Sequence, residues 1–378
     1  MPAVCIVGGG YAGVRAAREL AVRLDRTWSI TLIDRGECHQ LITRLPEVVA
    51  EKIQAHDACV PFARILQRRI HHLRAEVLAV DLPARRVETS EGPIDPDILV
   101  IALGTAPDFL GIPGAETHCL TVKSVRDAVR LRDTLQALRQ SRTVTRVVII
   151  GAGYTGTEVA GELSAPEYRV SEAGDLGWVD VRIVAEDSRL LPQASPQISA
   201  SVQHILQRRN VPLHMGESVQ SVDETGLQTE SGERYGADLV VWAGQTRVAI
   251  AVHGGAGSDI PAAKFSVDPY LRVGSHDAIF ACGDASLAYD YAHGRVSASS
   301  AQLALQQGDI VAQNIDSTVR GKPLREYRPR VLGEALSLGG SDAVAEVGGV
   351  LLSGRAAATV KRAALLRYLA GLSLPALA

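Results

Sequence analysis

An α/β fold of two similar parallel-sheet units with a small C-terminal region is predicted by three observations. The 17 residues from Val4 to Leu20 return 143 positions later as Val147 to Leu163, with nine of the 17 identical. Each copy reads as a run of β-branched residues suited to a strand buried on both faces, then a glycine-rich turn, then a helix with one apolar face. The 378 residues suffice for two or three domains with cores of their own, and 46% apolar against 21% charged residues is an ordinary globular balance.

The same composition removes several kinds of function. Lysine plus arginine number 39 against 42 acids, a net charge of -3, so no basic field favours nucleic acid, and aromatics at 4% offer few stacking platforms. The five cysteines, Cys5, Cys38, Cys59, Cys119 and Cys282, form no C-x-x-C or C-x-x-x-x-C pair. Neither a metal site nor a disulfide framework is expected, and a reducing, cytoplasmic compartment fits. No basic leader precedes the apolar start at Val4, and no apolar run is long enough to span a membrane.

Taken in order, the first strand runs from Val4 to Val7 and meets glycines with separate physical jobs. Gly8, and Gly151 in the second copy, permit a tight turn; Gly10 and Gly153 let a pyrophosphate approach the backbone; Gly13 and Gly156 let helix pack on strand. The anion then sits at a helix N-terminus, where free N–H groups and the helix dipole favour negative charge. Two such turns, each between strand and helix, predict two Rossmann-like dinucleotide-binding domains. Strand Ser29 to Asp34 ends in an acid 21 residues after Gly13, where a carboxylate accepts from ribose hydroxyls, and Arg35 follows it. In the second unit Ala185 stands where the acid is expected and Glu186 comes next, which favours NAD over NADP, with Arg189 close by.

Further strands are read at Asp97 to Thr105 and, as its counterpart, Asp238 to Gly244, with a helix from Val125 to Leu138. Pro107, Pro113 and Gly114 mark a crossing between domains. Ala278 to Asp284 is a strand ending in Gly-Asp, and a long helix follows from about Ser299 to Ile315. Beyond it come short strands at Ala335 to Leu338 and Val344 to Val347. Past Gly354 a basic helix carries Val360, Ala364, Leu365, Tyr368, Leu369 and Leu372 at helical spacing, suited to an anionic membrane surface or to packing on the body.

With these motifs in place, the chain resembles the flavoproteins with two dinucleotide-binding domains, most closely the type II NADH dehydrogenases, or NADH:quinone oxidoreductases. The resemblance covers most of the chain, and its most specific element is Ala301-Gln-Leu-Ala-Leu-Gln-Gln-Gly308, similar to the family's A-Q-x-A-x-Q-Q-G signature. It implies non-covalent FAD in a domain built from 1–114 and 262–320, NADH in 115–261, and a C-terminal region over 321–378. FAD would be held by the first turn, Asp34, Arg35, the stretch at Thr43 and Arg44, the Ala102, Gly104 and Thr105 segment, Gly283, Asp284, Ala301 and Gln302. NADH would be held by the second turn with Tyr154 and Thr155, by Glu186 and by Gly244. A peripheral position on the inner face of the cell membrane and a homodimer are further implications.

The resemblance also gives roles. Glu158 takes the place that is Arg15 in the first copy and would orient the nicotinamide and flavin or assist proton movement; the alternative is an acid favoured by the helix dipole. Gln302 and Gln306 lie four apart on one helix face and would hydrogen-bond a quinone or the flavin. Hydride passes from nicotinamide to flavin without a protein nucleophile. The family's Gln-Pro pair has no clear match in His39 to Pro46, and Trp242-Ala-Gly-Gln245 departs from its usual Trp-Ala-Ala-Gly. His39 is a candidate for chemistry or for a structural place. Cys38, alone in the redox-disulfide region with Cys59 21 residues away, argues against disulfide reduction. Sulfide:quinone oxidoreduction through Cys119 and Cys282 is a rival, as is an NADH-sensing flavoprotein acting through a protein partner.

Overall fold

Strand Ala3–Val7 lies at the centre of a five-stranded sheet in the order Ile279–Ala281, Ile98–Ile101, Ala3–Val7, Ser29–Asp34, Ile70–Arg74, with every pairing parallel. The computed structural model describes residues 1–169, 176–248, 250–253 and 264–373. A second parallel sheet has the equivalent order Cys119–Thr121, Leu239–Trp242, Val144–Ile150, Trp178–Ala185, Leu213–Met215. Helices cover both faces of such sheets, which is why Val4 to Val7 and Val147 to Ile150 are buried to the last residue. The strand Ile279–Ala281 returns to the first sheet after the second is complete. Ala106–Pro107 and Thr246–Arg247, the two crossings between the units, pair antiparallel with each other.

The first repeat's helix, Tyr11–Arg23, packs along the Ala301–Val319 helix. Gly308 stands at their crossing: a Cβ there would lie 2.5 Å from the Ala12 carbonyl oxygen and 3.0 Å from the Arg15 Cβ, so only glycine lets the helices approach this closely. Arg15 and Asp309 close the contact with a 2.5 Å ion pair.

The C-terminal region holds one strand more than the sequence reading. Gly333–Ser337, Ala343–Val347 and Val350–Ser353 form an antiparallel sheet, the last two joined through Gly348 and Gly349, both at positive φ as a two-residue hairpin turn demands. The Gly354–Ser373 helix then packs on the body. Leu365, Tyr368 and Leu369 rest on the first unit's core, Leu372 is buried, and Arg18 donates to the Leu372 carbonyl at 2.7 Å. Much of the apolar face read as suited to a membrane therefore meets protein. Among the described residues no helix is long and apolar enough to cross a membrane.

The expectation of five unpaired cysteines is corrected. Strands Cys38–Gln40 and Cys59–Pro61 are antiparallel neighbours, with Gln40 opposite Cys59, and a disulfide joins Cys38 to Cys59 across a Cα separation of 5.6 Å. The 21-residue separation hid this because the short helix Leu45–Val49 folds the intervening chain back on itself.

Candidate functional site

The two glycine turns have the same construction. Gly8 has φ +104°, and a Cβ on it would lie 2.3 Å from the Ala102 carbonyl oxygen; Gly151 has φ +108° and the matching contact at 2.6 Å with Ala243. A Cβ on Gly13 would be 1.9 Å from the Gly8 oxygen, and on Gly156 2.4 Å from that of Gly151. Gly10 and Gly153 differ: nothing in the protein lies within 4 Å of where their Cβ would be. Four of the six glycines are thus required by the protein itself, and the open side of the other two is the cradle a pyrophosphate would fill. The helices that follow the two turns share a further feature. Val125–Ser141, Pro196–Arg208 and Ala301–Val319 each begin with a serine accepting from a backbone N–H, whereas Tyr11–Arg23 and Tyr154–Leu163 have no side-chain cap and no acid in the first turn. Their N–H groups are left for an anion.

Asp34 stands at the outer end of the first cradle, accepting from Gly9 N at 2.7 Å and Gly36 N at 2.8 Å. Arg35 is exposed, 3.9 Å from Glu76. In the second sheet Val184 lies opposite Ile150 as Ile33 lies opposite Val7, so Ala185 holds the place of Asp34 and Glu186 is exposed one residue on. Arg189 turns to its own loop, donating to the carbonyls of Pro192 and Ala194 at 2.7 and 2.9 Å. Arg189 is thereby turned away from a 2′-phosphate, which Glu186 and Asp187 would repel.

Gly283, at φ +69°, brings Asp284 against the first turn of the Tyr11–Arg23 helix; a Cβ on Gly283 would lie 3.1 Å from that of Ala12. Gln307, which the sequence reading passed over, fixes this loop: its buried Oε1 accepts from Gly283 N at 2.7 Å and Ser286 Oγ at 2.9 Å. Its signal was its place in the same glutamine motif. Ala102 is buried beneath Gly8, Gly104 is open at φ +66°, and Thr105 Oγ1 accepts from Lys123 Nζ at 3.3 Å. Thr43 lies 3.2 Å from the Tyr11 hydroxyl. Arg44's guanidinium is held by Glu47 at 2.8 Å and the Asp57 carbonyl at 3.1 Å. Gly244 packs on the Trp242 ring, Ala301 opens its helix, and Thr155 sits in the first turn beside Tyr154, whose phenol hydrogen-bonds Glu334.

Glu158 is buried, in the second turn of its helix and not the first, so the dipole does not account for it. It accepts from Ser337 N at 3.0 Å and from Lys361 Nζ, both in the C-terminal region. Burial alone would draw the Lys361 ammonium below its ordinary value, but Glu158 beside it more than offsets this and holds it charged. Glu162, one turn on, pairs with Lys52 at 2.8 Å and accepts from Ser337 Oγ.

Gln302 and Gln306 do share a face, but their amides are not free to meet a quinone. Gln302 accepts from Leu332 N at 2.6 Å and donates to the Gly333 carbonyl at 3.1 Å; Gln306 accepts from Arg330 N and donates to Arg330 O at 3.0 and 2.8 Å. They clamp the segment leading into the C-terminal sheet. Gln302→Ala and Gln306→Ala should each lower the unfolding free energy by about 1 kcal/mol, measured by urea denaturation, because each removes two hydrogen bonds to the backbone of the following segment.

His39 has a structural place. It is fully buried, its Nδ1 is 3.0 Å from the Gly9 carbonyl and its Nε2 is 2.8 Å from the Tyr368 hydroxyl. A carbonyl only accepts, so Nδ1 carries the hydrogen and Tyr368 donates to Nε2. Burial pushes the imidazole down to about 4, partly countered by the Gly9 contact and Asp34. A histidine depressed in the fold contributes stability above its unfolded value of about 6.5 that is lost as pH falls towards 4, about 3 kcal/mol in all. Denaturation at pH 7 and pH 4 should show that loss, and His39→Gln should remove this component.

The remaining thiols of Cys5, Cys119 and Cys282 are buried, which pushes each up to about 12 and keeps them protonated. Cys119 and Cys282 lie in separate cores, so they do not form a sulfur-carrying pair. Among the described residues no cluster of His, Cys, Asp and Glu could hold a metal.

Comparison with known proteins bears on the whole arrangement. The type II NADH:quinone oxidoreductase of Staphylococcus aureus (strain NCTC 8325 / PS 47) is 28% identical over 374 residues, covering 95% of this chain and 93% of that protein. The structure of NDH2 from Plasmodium falciparum in complex with NADH superposes with a TM-score of 0.84 at 16% identity, covering 97% of this chain and 94% of that one. The sulfide:quinone oxidoreductase of Aquifex aeolicus follows at 0.80 and 19% identity, covering 99% and 92%. At such identities these two show a shared fold. Residues 2–308 match the family described as pyridine nucleotide-disulphide oxidoreductase, and the chain belongs to this family.

Proposed function

We propose that the protein is an FAD-dependent NADH:quinone oxidoreductase, with FAD in residues 1–114 and 262–320, NADH in 115–261 and a C-terminal region over 321–378. The boundary at 261/262 lies outside the described residues. The observation that carries the reading is the pair of uncapped, open-sided glycine turns, supported by the likeness to the Staphylococcus aureus enzyme over nearly the whole chain. The first cradle, Asp34, Thr105 and Asp284 fit FAD, since they offer free N–H groups for its phosphates and polar oxygens for its hydroxyls. When bound, FAD supplies the hydride acceptor and hands electron pairs to a quinone. The protein's own work is positioning and charge. Gly153 with the N–H groups behind it binds the NADH pyrophosphate, Glu158 with Lys361 holds a charged pair beside the meeting of the two units, and Gln302 and Gln306 position the strand that carries Ser337 to Glu158.

Attachment to the inner face of a membrane is part of the proposal. The outward side of the last helix presents Arg355, Arg362, Leu366 and Arg367 and no acid, and each arginine near an anionic surface contributes about 1 kcal/mol. The deciding experiment is anaerobic titration of the purified protein with NADH, NADPH and sulfide in turn, then with a soluble quinone, following flavin absorbance. Bleaching by NADH and recovery with quinone is expected. Bleaching by sulfide alone would replace the reading with sulfide oxidation, and reduced flavin that quinone fails to reoxidise would point to an NADH sensor acting through a protein partner.

A further inference from the structure

Lys123 is the one lysine that reaches from the second unit into the first unit's crevice with no carboxylate, among the described residues, at ion-pair distance. It follows strand Cys119–Thr121 and precedes the Val125–Ser141 helix, where its backbone N–H is held by Asp127 at 3.2 Å. Its side chain turns back across the domain junction. There Nζ donates to Thr105 Oγ1 at 3.3 Å, which satisfies one of its three hydrogens. Its other two hydrogens remain, and Asp284 lies close enough to act on its charge.

Asp34 accepts from Gly9 N beside the open side of Gly10 and the uncapped helix, Gly283 packs over Ala12 of that helix, and Thr105, bonded to Lys123, stands next to the crossing strand Ala106–Pro107 between the units. The end where the two units meet is the end where a redox ring has to lie if hydride is to cross between two nucleotides. Burial draws the Lys123 ammonium below its ordinary value, Lys264, itself bonded to Ser299 Oγ at 2.8 Å, adds a repelling cation, and Asp284 and Asp127 work against both. A cation held this way gains from any anion delivered to the crevice.

We propose that Lys123 is the charge that stabilises the reduced flavin, by facing the side of the ring system that becomes negative on reduction. The assignment rests on the proposed function, in which FAD lies in the first unit. One hydride from NADH brings two electrons and a proton, leaves NAD+, and gives the ring system a single negative charge that the ammonium neutralises. Lys123 is a tuning residue and accepts neither the hydride nor a proton.

The test is the two-electron midpoint potential of bound FAD, read by equilibration with a reference dye, together with the FAD content of the purified protein. Lys123→Met should disfavour the reduced form about tenfold, a shift of about 30 mV to lower potential, and Lys123→Arg should restore most of it. Loss of FAD from the methionine variant with retention in the arginine variant also supports the role. A wild-type potential in an FAD-loaded Lys123→Met, or loss of FAD from both variants, overturns it. A wild-type protein that takes up no FAD overturns the proposed function instead, and the Lys123 role falls with it.

Discussion

Glu158→Gln should slow the reduction of bound FAD by NADH about 100-fold while leaving the FAD content unchanged. The size follows from what a positioned acid–base group contributes, roughly 10²-fold or more. Its location supports a role at the junction: a buried carboxylate on the helix that opens at the NADH cradle, paired with Lys361 and with Ser337 N. Glutamine keeps the shape and the acceptor for Ser337 and removes only the charge. Lys361 is then left partly buried without its counterion, a loss of up to about 3 kcal/mol in stability, the low end for a broken buried pair because Lys361 keeps some exposure. The two effects separate cleanly. Stopped-flow absorbance at a temperature where the variant is folded reads the chemistry, and urea denaturation reads the stability. If flavin reduction keeps the wild-type rate while stability falls, the pair is a structural tie between the second unit and the last helix and nothing more.

What the sequence made legible was steric and local. Gly8 is dictated by its own backbone, φ +104°, and Gly13 by the Gly8 carbonyl in the same turn, and the same pattern repeated 143 residues later exposed both cradles and their parallel strands, while the placing of Ala278 to Asp284 in the first unit came from the family resemblance. What escaped was set by contacts across long stretches of chain. Lys361 lies 203 residues from Glu158, and the partners of Gln302 and Gln306 lie 24 to 31 residues away, beyond the reach of any periodicity. The free amides read on one helix face are for that reason backbone clamps. Cys38 and Cys59 were read as strangers because spacing along the chain was taken for distance, although the strands on either side were short enough to pair. The missed third strand had its signal in plain sight: two glycines between apolar residues make a hairpin turn as readily as they end a strand.

Gly153→Val should raise the KM for NADH about 100-fold and leave the fold and the FAD content nearly untouched. At Gly153 the backbone is extended, with φ -73° and ψ -176°, a conformation valine adopts freely, and no protein atom lies within 4 Å of the new Cβ. The internal cost is a poorer helix start, about 0.5–1 kcal/mol. The branched side chain instead occupies the open face of the turn, where it would hold a pyrophosphate away from the N–H groups of the Tyr154–Leu163 helix, and a displacement of about 1 Å at such a site costs on the order of 10²-fold. The neighbouring glycines supply the contrast. Gly156→Val would drive a Cβ to 2.4 Å from the Gly151 oxygen, and that variant should fail to fold. Gly10→Val tests the other cradle in the same way, since it also meets open space and should yield folded protein without flavin. A Gly153→Val enzyme with a wild-type KM for NADH would mean that the second turn does not hold the nucleotide, and the assignment of one cofactor to each repeat would have to be abandoned.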